Sequence, residues 1–491
     1  MADLRWPAVT GPVSRIADQA RLGARALIEY GQHLFNPTIR LGITGLSRAG
    51  KTVFLTALVH GLLRGGRFPV FEPYAGGRIA GARLSPQPDD GVPRFEYEKH
   101  LRALIDERQW PDSTKAISEL RLVIDYQSQS GADRTLTLDL VDYPGEWLLD
   151  LPLLSMSYEQ WSADALARSR QAPHDALAKS WHAHLRTLDP FAQADENDAI
   201  EAARLFTQYL RACRDDRFAM SVLPPGRFLM PGDLDGSPAL TFAPLDLPEG
   251  AERKTGSLWS MMRRRYEAYK DLVVRPFFVD HFQRLDRQLV LVDALATFNA
   301  GPHAVQDLES ALTDILGCFQ VGRRTLLSAM FSPRADKVLF AATKADHLHH
   351  SSHDRLEAIL RRMVGCAVAR VEFSGAAIDV VALAAVRATR EAMVSRRGEN
   401  LPSIAGVAAA GEKAGAKVFD GKTEVVVFPG DLPADPEQLF SKASDPAAGE
   451  ADLRFLRFRP PLLEMTEEGE PALPHIRFDR ALQFLIGDRL Q

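Results

Sequence analysis

The chain has 491 residues, of which 46% are hydrophobic and 25% charged, the composition of an ordinary soluble globular protein. Its net charge of −5 excludes the basic footprint of a nucleic-acid-binding domain, and no apolar run is long enough to span a bilayer. Three widely separated cysteines, an odd number, exclude a disulfide framework and predict a reducing compartment, which we expect to be the cytoplasm.

The N-terminal segment lacks the short apolar core of a secretory signal. Between residues 13 and 35, apolar side chains alternate with arginines at helical spacing, which predicts an amphipathic helix within an N-terminal segment of residues 1–38. Such a helix either packs on the domain that follows or lies on a membrane surface. The second arrangement would place the protein at the periphery of the inner membrane.

Residues 45–52 read GLSRAGKT, a phosphate-binding loop of the form GxxxxGK(S/T). A predicted strand at residues 39–44 precedes the loop, and a predicted helix at residues 53–59 would point its positive N-terminus at bound phosphates. In such loops the lysine reaches the β- and γ-phosphates and the final hydroxyl binds Mg²⁺. The predicted nucleotide contacts are Gly45, Ser47, Arg48, Ala49, Gly50, Lys51, Thr52 and Val53, with Lys51 also assigned to catalysis and Thr52 to the metal.

A second motif, DxxG at residues 142–145, ends a predicted buried strand. The Asp142 carboxylate can hold the water shell of Mg²⁺, and the backbone N–H of Gly145 can detect a γ-phosphate. Glu146 stands where Ras-type GTPases carry the glutamine that orients the attacking water. A glutamate can orient or deprotonate that water, but it adds negative charge beside the γ-phosphate, so we predict slow hydrolysis. The alternative is that Glu146 is a solvated residue of a mobile loop.

Residues 343–346 read TKAD, follow a predicted strand and match the (N/T)KxD pattern of guanine recognition. The Asp346 carboxylate can accept hydrogen bonds from N1 and the exocyclic amine of guanine, which adenine does not offer in the same way. Thr343 opens the motif, and the stem of Lys344 can lie along the base plane. After the last predicted strand, the backbone N–H groups of Ala385 and Val386 could cover the base. The motif favours guanine over adenine.

A switch I residue should precede the strand that leads to DxxG, so that its hydroxyl can meet Mg²⁺ and the γ-phosphate. Ser113 and Thr114 stand at this place, and we favour Thr114 as a metal ligand. Arg108 and Arg48 are candidates for a built-in arginine finger, and Arg108 is assigned to catalysis on that basis. For both arginines a solvated surface position is the alternative.

Predicted strands alternate with helices after the first loop, which predicts an α/β fold with a doubly wound, mostly parallel sheet of the P-loop NTPase or Ras-like type. Residues 64–113 are rich in glycine and proline and are predicted to be loop-rich. About 200 residues separate Asp142 from Lys344, too many for a loop, so a large helical insertion is predicted. We predict a GTPase domain at 39–154 and 285–395, a helical subdomain at 155–284, and a C-terminal mixed segment at 396–491 that packs on the GTPase domain.

With these motifs in place, the chain resembles the YcjX family of bacterial stress-associated, Ras-like GTPases. The stretches that carry the resemblance span nearly the full length and are residues 45–52, 142–147, 265–278, 287–293, 428–433 and 474–482. The resemblance implies GTP and GDP as bound nucleotides, a role in a stress response and a membrane-associated stress protein as a partner.

The leading hypothesis is a slow GTPase switch that binds GTP with Mg²⁺ and presents different surfaces in its two nucleotide states. One alternative is an ATPase or a nucleotide-dependent phosphotransferase. Another is a scaffold that binds nucleotide without useful turnover, which the charge of Glu146 keeps open. Nothing in the sequence indicates the oligomeric state.

Overall fold

The computed structural model describes residues 37–45, 49–112, 114, 116–214, 224–248, 250–252, 254–318, 335–370, 376–396, 398–414, 417–441, 455–463 and 471–491. The amphipathic helix predicted at residues 13–35 lies outside this part of the chain, as do the loop residues Ser47 and Arg48.

A seven-stranded sheet forms the centre of the molecule. Its strands are β1 (Thr38–Gly45), β2 (Ile79–Ser85), β3 (Ser118–Gln127), β4 (Asp133–Asp142), β5 (Arg287–Val292), β6 (Lys337–Ala342) and β7 (Ala377–Ala382). They lie side by side in the order β2-β3-β4-β1-β5-β6-β7. Strands β4, β1, β5, β6 and β7 run parallel to one another, whereas β2 and β3 are antiparallel to their neighbours. The predicted α/β class with a mostly parallel sheet is confirmed.

Both faces of the sheet are covered, as the continuous apolar runs of its central strands require. Side chains alternate across β5, so that Leu289 and Leu291 join one core while Val290 and Val292 join the other. The first of these cores also contains Phe54 of the helix that follows β1. A sheet with helices on both faces is doubly wound, as predicted, and its ligands bind at the carboxyl ends of the strands.

Helices surround the sheet and also occupy the long connection between β4 and β5. In chain order they are α1 (Lys51–Arg64), α2 (Glu72–Ala75), α3 (Tyr97–Ile105), α4 (Tyr158–Ser169), α5 (His174–Leu177), α6 (Lys179–Leu185), α7 (Glu196–Cys213), α8 (Leu258–Tyr269), α9 (Arg275–Asp280), α10 (Ala294–Ala300), α11 (Pro302–Cys318), α12 (His353–Arg370), α13 (Glu437–Ser441) and α14 (Phe478–Ile486). None of the helices in the described ranges is long and apolar enough to cross a membrane.

Helices α4 to α9 form the predicted large helical insertion. Helix α7 begins at an Asp195 cap, whose side chain accepts from the Asn197 N–H at 2.7 Å, and it buries Phe206 and Tyr209 on one face. Trp161 and Trp181 pack against Phe206 in the same aromatic cluster. This cluster is continuous with one face of the central sheet, so the subdivision of the chain at residues 155 and 284 stays a prediction.

The C-terminal part of the chain adds a three-stranded antiparallel sheet, a hairpin and the helix α14. The sheet consists of β8 (Arg390–Arg396), β9 (Glu399–Val407) and β12 (Glu424–Val427), with β9 in the centre, and the hairpin pairs β10 (Lys413–Ala414) with β11 (Lys417–Val418). Helix α14 is tied to the central sheet by the buried Arg287, whose guanidinium donates to the Leu485 carbonyl at 3.2 Å and to Asp488 Oδ2 at 2.9 Å.

The segment 64–113, which the sequence predicts to be loop-rich, contains helix α2, strand β2 and helix α3, three elements that the sequence did not predict. Strand β2 pairs antiparallel with β3 at the edge of the sheet. Its sequence, IAGARLS, has few strand-forming residues, and pairing with an existing neighbour holds it in the extended conformation. The weak local pattern is therefore overridden by a tertiary contact.

Candidate functional site

A cavity of 620 Å³ lies at the carboxyl ends of the central strands and brings the three sequence motifs together. The predicted site residues that line it are Gly45, Ala49, Gly50, Lys51, Thr52, Val53, Thr114, Gly145, Glu146, Thr343, Lys344, Asp346, Ala385 and Val386. Asp142 is not part of the lining, but its carboxylate contacts Lys51 and Thr114. A volume of this size suits a nucleotide-sized ligand.

The phosphate-binding loop leads directly into α1. Gly50 has the left-handed φ of 79°, which a residue with a side chain rarely adopts, and α1 begins at the next residue. A Cβ on Gly45 would lie 3.1 Å from Ala49 Cβ and 3.2 Å from Leu291 Cβ, so a small residue is needed where the loop leaves β1. The two motif glycines therefore suit the points where the chain leaves β1 and where α1 begins, and the first residues of α1 line the cavity.

The ammonium group of Lys51 lies against the end of β4. Its Nζ is 2.8 Å from Asp142 Oδ1 and donates to the Tyr143 carbonyl at 2.7 Å. Both side chains are nearly buried, at 10% exposed for Lys51 and 1% for Asp142. The lysine thus stands at the cavity wall with a charged partner, where it can also meet an anionic ligand.

Three oxygen-bearing side chains meet beside Lys51. The hydroxyls of Thr52 and Thr114 are 3.3 Å apart, and the Thr114 hydroxyl donates to Asp142 Oδ2 at 2.7 Å. The Thr52 hydroxyl also donates to the Asp112 carbonyl at 3.2 Å. Hydroxyl and carboxylate oxygens are the donors that Mg²⁺ prefers, so this set fits that ion.

After Asp142 the chain forms a buried 3-10 helix, Gly145–Ser155, which we call the DxxG helix. Glu146 lies in its first turn, is 8% exposed and forms an ion pair with Arg214 at the end of α7. The alternative that Glu146 is a solvated residue of a mobile loop is therefore wrong. A buried carboxylate needs a counter-charge, and here the helical insertion supplies it.

The segment around Gly226 packs directly on the DxxG helix. A Cβ on Gly226 would lie 2.3 Å from the carbonyl oxygen of Glu146, which leaves no room for a side chain. The guanidinium of Arg227 lies over the Trp147 ring, 3.6 Å from its centroid. The backbone of the helical insertion therefore lies in direct contact with the backbone of the DxxG helix.

We expect Gly226→Ala to lower the free energy of unfolding by about 1–3 kcal/mol, because neither backbone can move away from the new methyl group without repacking. Gly365→Ala is the matched control, since a Cβ there would meet nothing within 4 Å. Thermal melts of both variants would check this prediction. Equal melting temperatures for the two would contradict the close contact.

Asp150 is a second link between the DxxG helix and the insertion. Its Oδ1 accepts from the Gly226 N–H at 2.7 Å and its Oδ2 accepts from the Tyr269 hydroxyl at 2.5 Å. Burial raises the pKa of the Asp150 carboxyl from 3.8 to about 7, although these hydrogen bonds act in the opposite direction. The carboxyl therefore keeps its proton in the folded protein at a pH where an unfolded chain would have lost it.

This raised pKa makes stability depend on pH in a defined direction. The stabilisation that the protonated Asp150 carboxyl contributes is complete below the pKa of this group in the unfolded chain. It is lost as pH rises through the pKa of this group in the folded protein, with a slope of at most about 1.4 kcal/mol per pH unit. We expect the melting temperature of wild type to fall relative to that of Asp150→Asn between pH 4.5 and 7.5. Other carboxyls titrate in both proteins, and their effects on the melting temperature cancel in the comparison. A difference in melting temperature that stays constant across this range would contradict the raised pKa of Asp150.

The TKAD motif forms the other end of the cavity. Lys344 adopts a left-handed φ of 61° and its ammonium forms an ion pair with Asp293 at the end of β5. The Asp346 Oδ2 accepts from the Ala388 N–H at 2.8 Å, and the Asp346 carbonyl accepts from the Thr389 hydroxyl. The carboxylate of Asp346 is thus oriented by the segment that follows β7.

That segment also supplies Ala385 and Val386 to the lining, and it is itself anchored by the C-terminal part of the chain. Ala384 exchanges two backbone hydrogen bonds with Ile476, at 3.0 and 2.9 Å, and the Arg387 N–H donates to the Pro474 carbonyl at 2.6 Å. The C-terminal segment therefore fixes the loop that was predicted to cover the base.

The cavity also contains residues that sequence reasoning did not identify. They come from the insertion, from the segment before β3 and from the C-terminal part, and are Trp110, Pro111, Arg211, Arg214, Leu229, Met230, Arg457 and Phe458. The Trp110 indole N–H donates to the Phe458 carbonyl at 2.6 Å, which joins two of these segments. No local motif marks them, because their position depends on contacts between distant parts of the chain.

Arg108 is not among the lining residues. Its Nη2 donates to the Pro460 carbonyl at 3.2 Å, and its own carbonyl accepts from the Arg459 guanidinium at 3.3 Å. The structure therefore does not bring Arg108 together with Lys51 and Glu146, and its predicted catalytic role has no support in this geometry. Its contacts hold the C-terminal segment instead.

Comparison with known proteins gives concordant results. Residues 39–490 match the model of the YcjX-like family, DUF463. The chain is 38% identical over 470 residues to the "Ras-like GTPase YcjX" of Escherichia coli (strain K12), an alignment that covers 92% of this chain and 96% of that protein. It is 34% identical over 480 residues to the protein of the same name from Shewanella oneidensis (strain MR-1), with 92% and 95% of the two chains covered.

Proposed function

The chain belongs to the YcjX-like family, and from this premise we propose that it binds GTP and GDP together with Mg²⁺ and slowly hydrolyses GTP. The observation that carries the proposal is the convergence of the phosphate-binding loop, the DxxG motif and the TKAD motif on one cavity of 620 Å³. These motifs lie at the ends of β1, β4 and β6, and a single nucleotide could contact all three.

At the phosphate end, we assign the β- and γ-phosphates to Lys51 and to the N-terminus of α1. Lys51 brings the positive charge, and the backbone N–H groups of the first turn of α1 have no partners within the helix. The oxygen atoms of Thr52, Thr114 and Asp142 would hold the metal. When bound, Mg²⁺ neutralises charge that develops on the β- and γ-phosphate oxygens.

At the base end, we assign guanine recognition to Asp346. Its carboxylate can accept from the N1–H and the exocyclic amine of guanine, a pairing that adenine cannot reproduce. The hydrogen bond from the Ala388 N–H holds the carboxylate in place before the base arrives. Lys344 and Thr343 border the same end of the cavity, and Ala385 and Val386 would face the base edge with their backbone.

In the reaction, the oxygen of a water molecule bonds to Pγ, and the bond from Pγ to the β–γ bridging oxygen breaks. The electron pair of that bond leaves on GDP, and the proton of the water ends on the released phosphate. Glu146 is the residue beside Gly145 that could orient the water. Because its carboxylate is held in an ion pair with Arg214 and stands where Ras-type GTPases carry a glutamine, we propose that turnover is slow.

Equilibrium binding and single-turnover hydrolysis of labelled GTP by the purified full chain would test the proposal. We expect binding that excess GTP displaces and excess ATP does not, with release of phosphate that requires Mg²⁺. Displacement by ATP would point to an ATPase or phosphotransferase instead. Tight GTP binding without turnover would point to a scaffold that binds nucleotide and does not hydrolyse it.

We further propose that the helical insertion at 155–284 acts as a subdomain that responds to the nucleotide. Asp150 and Glu146 on the DxxG helix bond to Gly226, Tyr269 and Arg214 of the insertion, so a shift of the DxxG helix on binding a γ-phosphate would move these partners. Such a switch would act in the cytoplasm or at the periphery of the inner membrane, in a bacterial stress response with a membrane-associated protein as partner.

Hydrogen exchange in the GDP state and with a non-hydrolysable GTP analogue would test this switch. We expect amide protection across residues 155–280 to differ between the two states, because the contacts of the DxxG helix change. Helix α14, on the far side of the sheet from the insertion, is the internal control and should exchange equally in both. Identical protection across 155–280 would contradict a switch through the insertion.

A further inference from the structure

Helix α7 carries two arginines to the nucleotide cavity, although it belongs to the helical insertion. Arg211 and Arg214 stand three residues apart at its C-terminal end, a spacing that places them on the same face, and both line the cavity. Basic residues stabilise any helix C-terminus, so their presence alone indicates nothing. Their position is informative, because they border the space that also contains Lys51, Gly145 and Glu146.

Arg214 is held at this position by the carboxylate of Glu146. Their side chains are 21% and 10% exposed, so the ion pair is largely withdrawn from water but still reaches the cavity. A buried carboxylate beside the γ-phosphate would repel a triphosphate if it were not neutralised. The guanidinium of Arg214 therefore already neutralises the charge of Glu146 at the place where the γ-phosphate would bring further negative charge.

We infer that Arg214 is an arginine finger built into the chain, which contacts the γ-phosphate of GTP and stabilises the charge that develops there during hydrolysis. This inference rests on the proposed GTPase function. A guanidinium has several N–H donors in a planar fork and can bond to Glu146 and to a phosphate oxygen together. Arg211, one turn earlier, adds positive charge at the same wall of the cavity.

The geometry makes the insertion part of the reaction site. Glu146 precedes Trp147 on the DxxG helix, and Gly226 and Arg227 of the insertion pack on these same two residues. A movement of α7 relative to the DxxG helix would withdraw Arg214 from the γ-phosphate. Turnover would then depend on how the insertion is docked, and a partner that binds the insertion could change the hydrolysis rate.

The test compares Arg214→Ala, Arg214→Lys and Arg204→Ala in the full-length protein. Arg204 lies on the same helix and pairs with Glu201 on the surface, so its loss should change nothing. We expect Arg214→Ala to lower the single-turnover rate by at least about 100-fold with GDP affinity unchanged. Arg214→Lys keeps a cation beside Glu146 and hence the fold, but it lacks the planar fork and should remain at least about 10-fold slow.

A second readout distinguishes a contact of Arg214 with the phosphate from a role of Arg214 in holding Glu146 in place. Aluminium fluoride, which imitates the phosphoryl group in transit, should bind to the GDP complexes of wild type and Arg204→Ala and fail to bind to the GDP complex of either Arg214 variant. If both Arg214 variants hydrolysed GTP at the wild-type rate, the inference would be overturned and the proposed function would stand. A wild type that binds no guanine nucleotide would overturn the proposed function and the inference with it.

Discussion

Lys51→Ala is expected to weaken binding of both GTP and GDP by about 10- to 100-fold, which corresponds to one lost charge-assisted contact of about 1.5–3 kcal/mol. The ammonium group lies at the cavity wall between Asp142 and the Tyr143 carbonyl, where bound phosphates would meet it. Titration with a fluorescent guanine nucleotide measures the loss. Hydrolysis under saturating GTP should fall further, because the γ-phosphate gains charge in the transition state.

The chain offers a matched control for this variant. Residues 421–423 read GKT, the same tripeptide as residues 50–52, but Lys422 is an exposed residue in a turn that the Asp420 carboxylate closes. Lys422→Ala should therefore bind nucleotide like wild type. Lys51→Ala also leaves the buried Asp142 without its counter-charge, so a lower melting temperature without nucleotide is expected for this variant alone. Equal nucleotide affinity in the two variants would refute the assignment of Lys51.

The parts of the site that could be predicted from the sequence are short motifs, whose function depends on residues that lie close together in the chain. The loop at residues 45–52, Asp142 with Gly145, and the TKAD motif each combine a fixed spacing with a preceding strand. In a parallel sheet the carboxyl ends of the strands lie at one edge, so these motifs had to meet. The structure brings them to one cavity for that reason.

The parts that could not be predicted depend on contacts between distant residues. Glu146 and Arg214 are separated by 68 positions, and no local pattern indicates that the first would be buried against the second. Phe458 reaches the cavity through a hydrogen bond with Trp110 across 348 positions. The edge strand β2 was missed for a similar reason, since its partner β3 holds it extended despite a weak local preference.

Asp346→Asn is expected to change base selection, because it replaces one acceptor oxygen with an N–H donor. The Ala388 N–H still needs an acceptor, so the remaining oxygen of the amide should face Ala388 and the new NH₂ group should face the base. Guanine presents an amine at this point and would meet a second donor. We expect GTP affinity to fall by about 10- to 100-fold, the cost of a lost hydrogen bond to a charged group.

Xanthosine triphosphate carries a carbonyl where guanine has its exocyclic amine, so the same substitution should raise its affinity. Competition of GTP and xanthosine triphosphate for wild type and variant measures the change as a ratio, which cancels any general loss of binding competence. Asp354→Asn is the control, since this carboxylate lies on α12 and pairs with Arg477 outside the cavity lining. If the ratio is unchanged in Asp346→Asn, the base does not contact Asp346, and the nucleotide must be recognised through its phosphates.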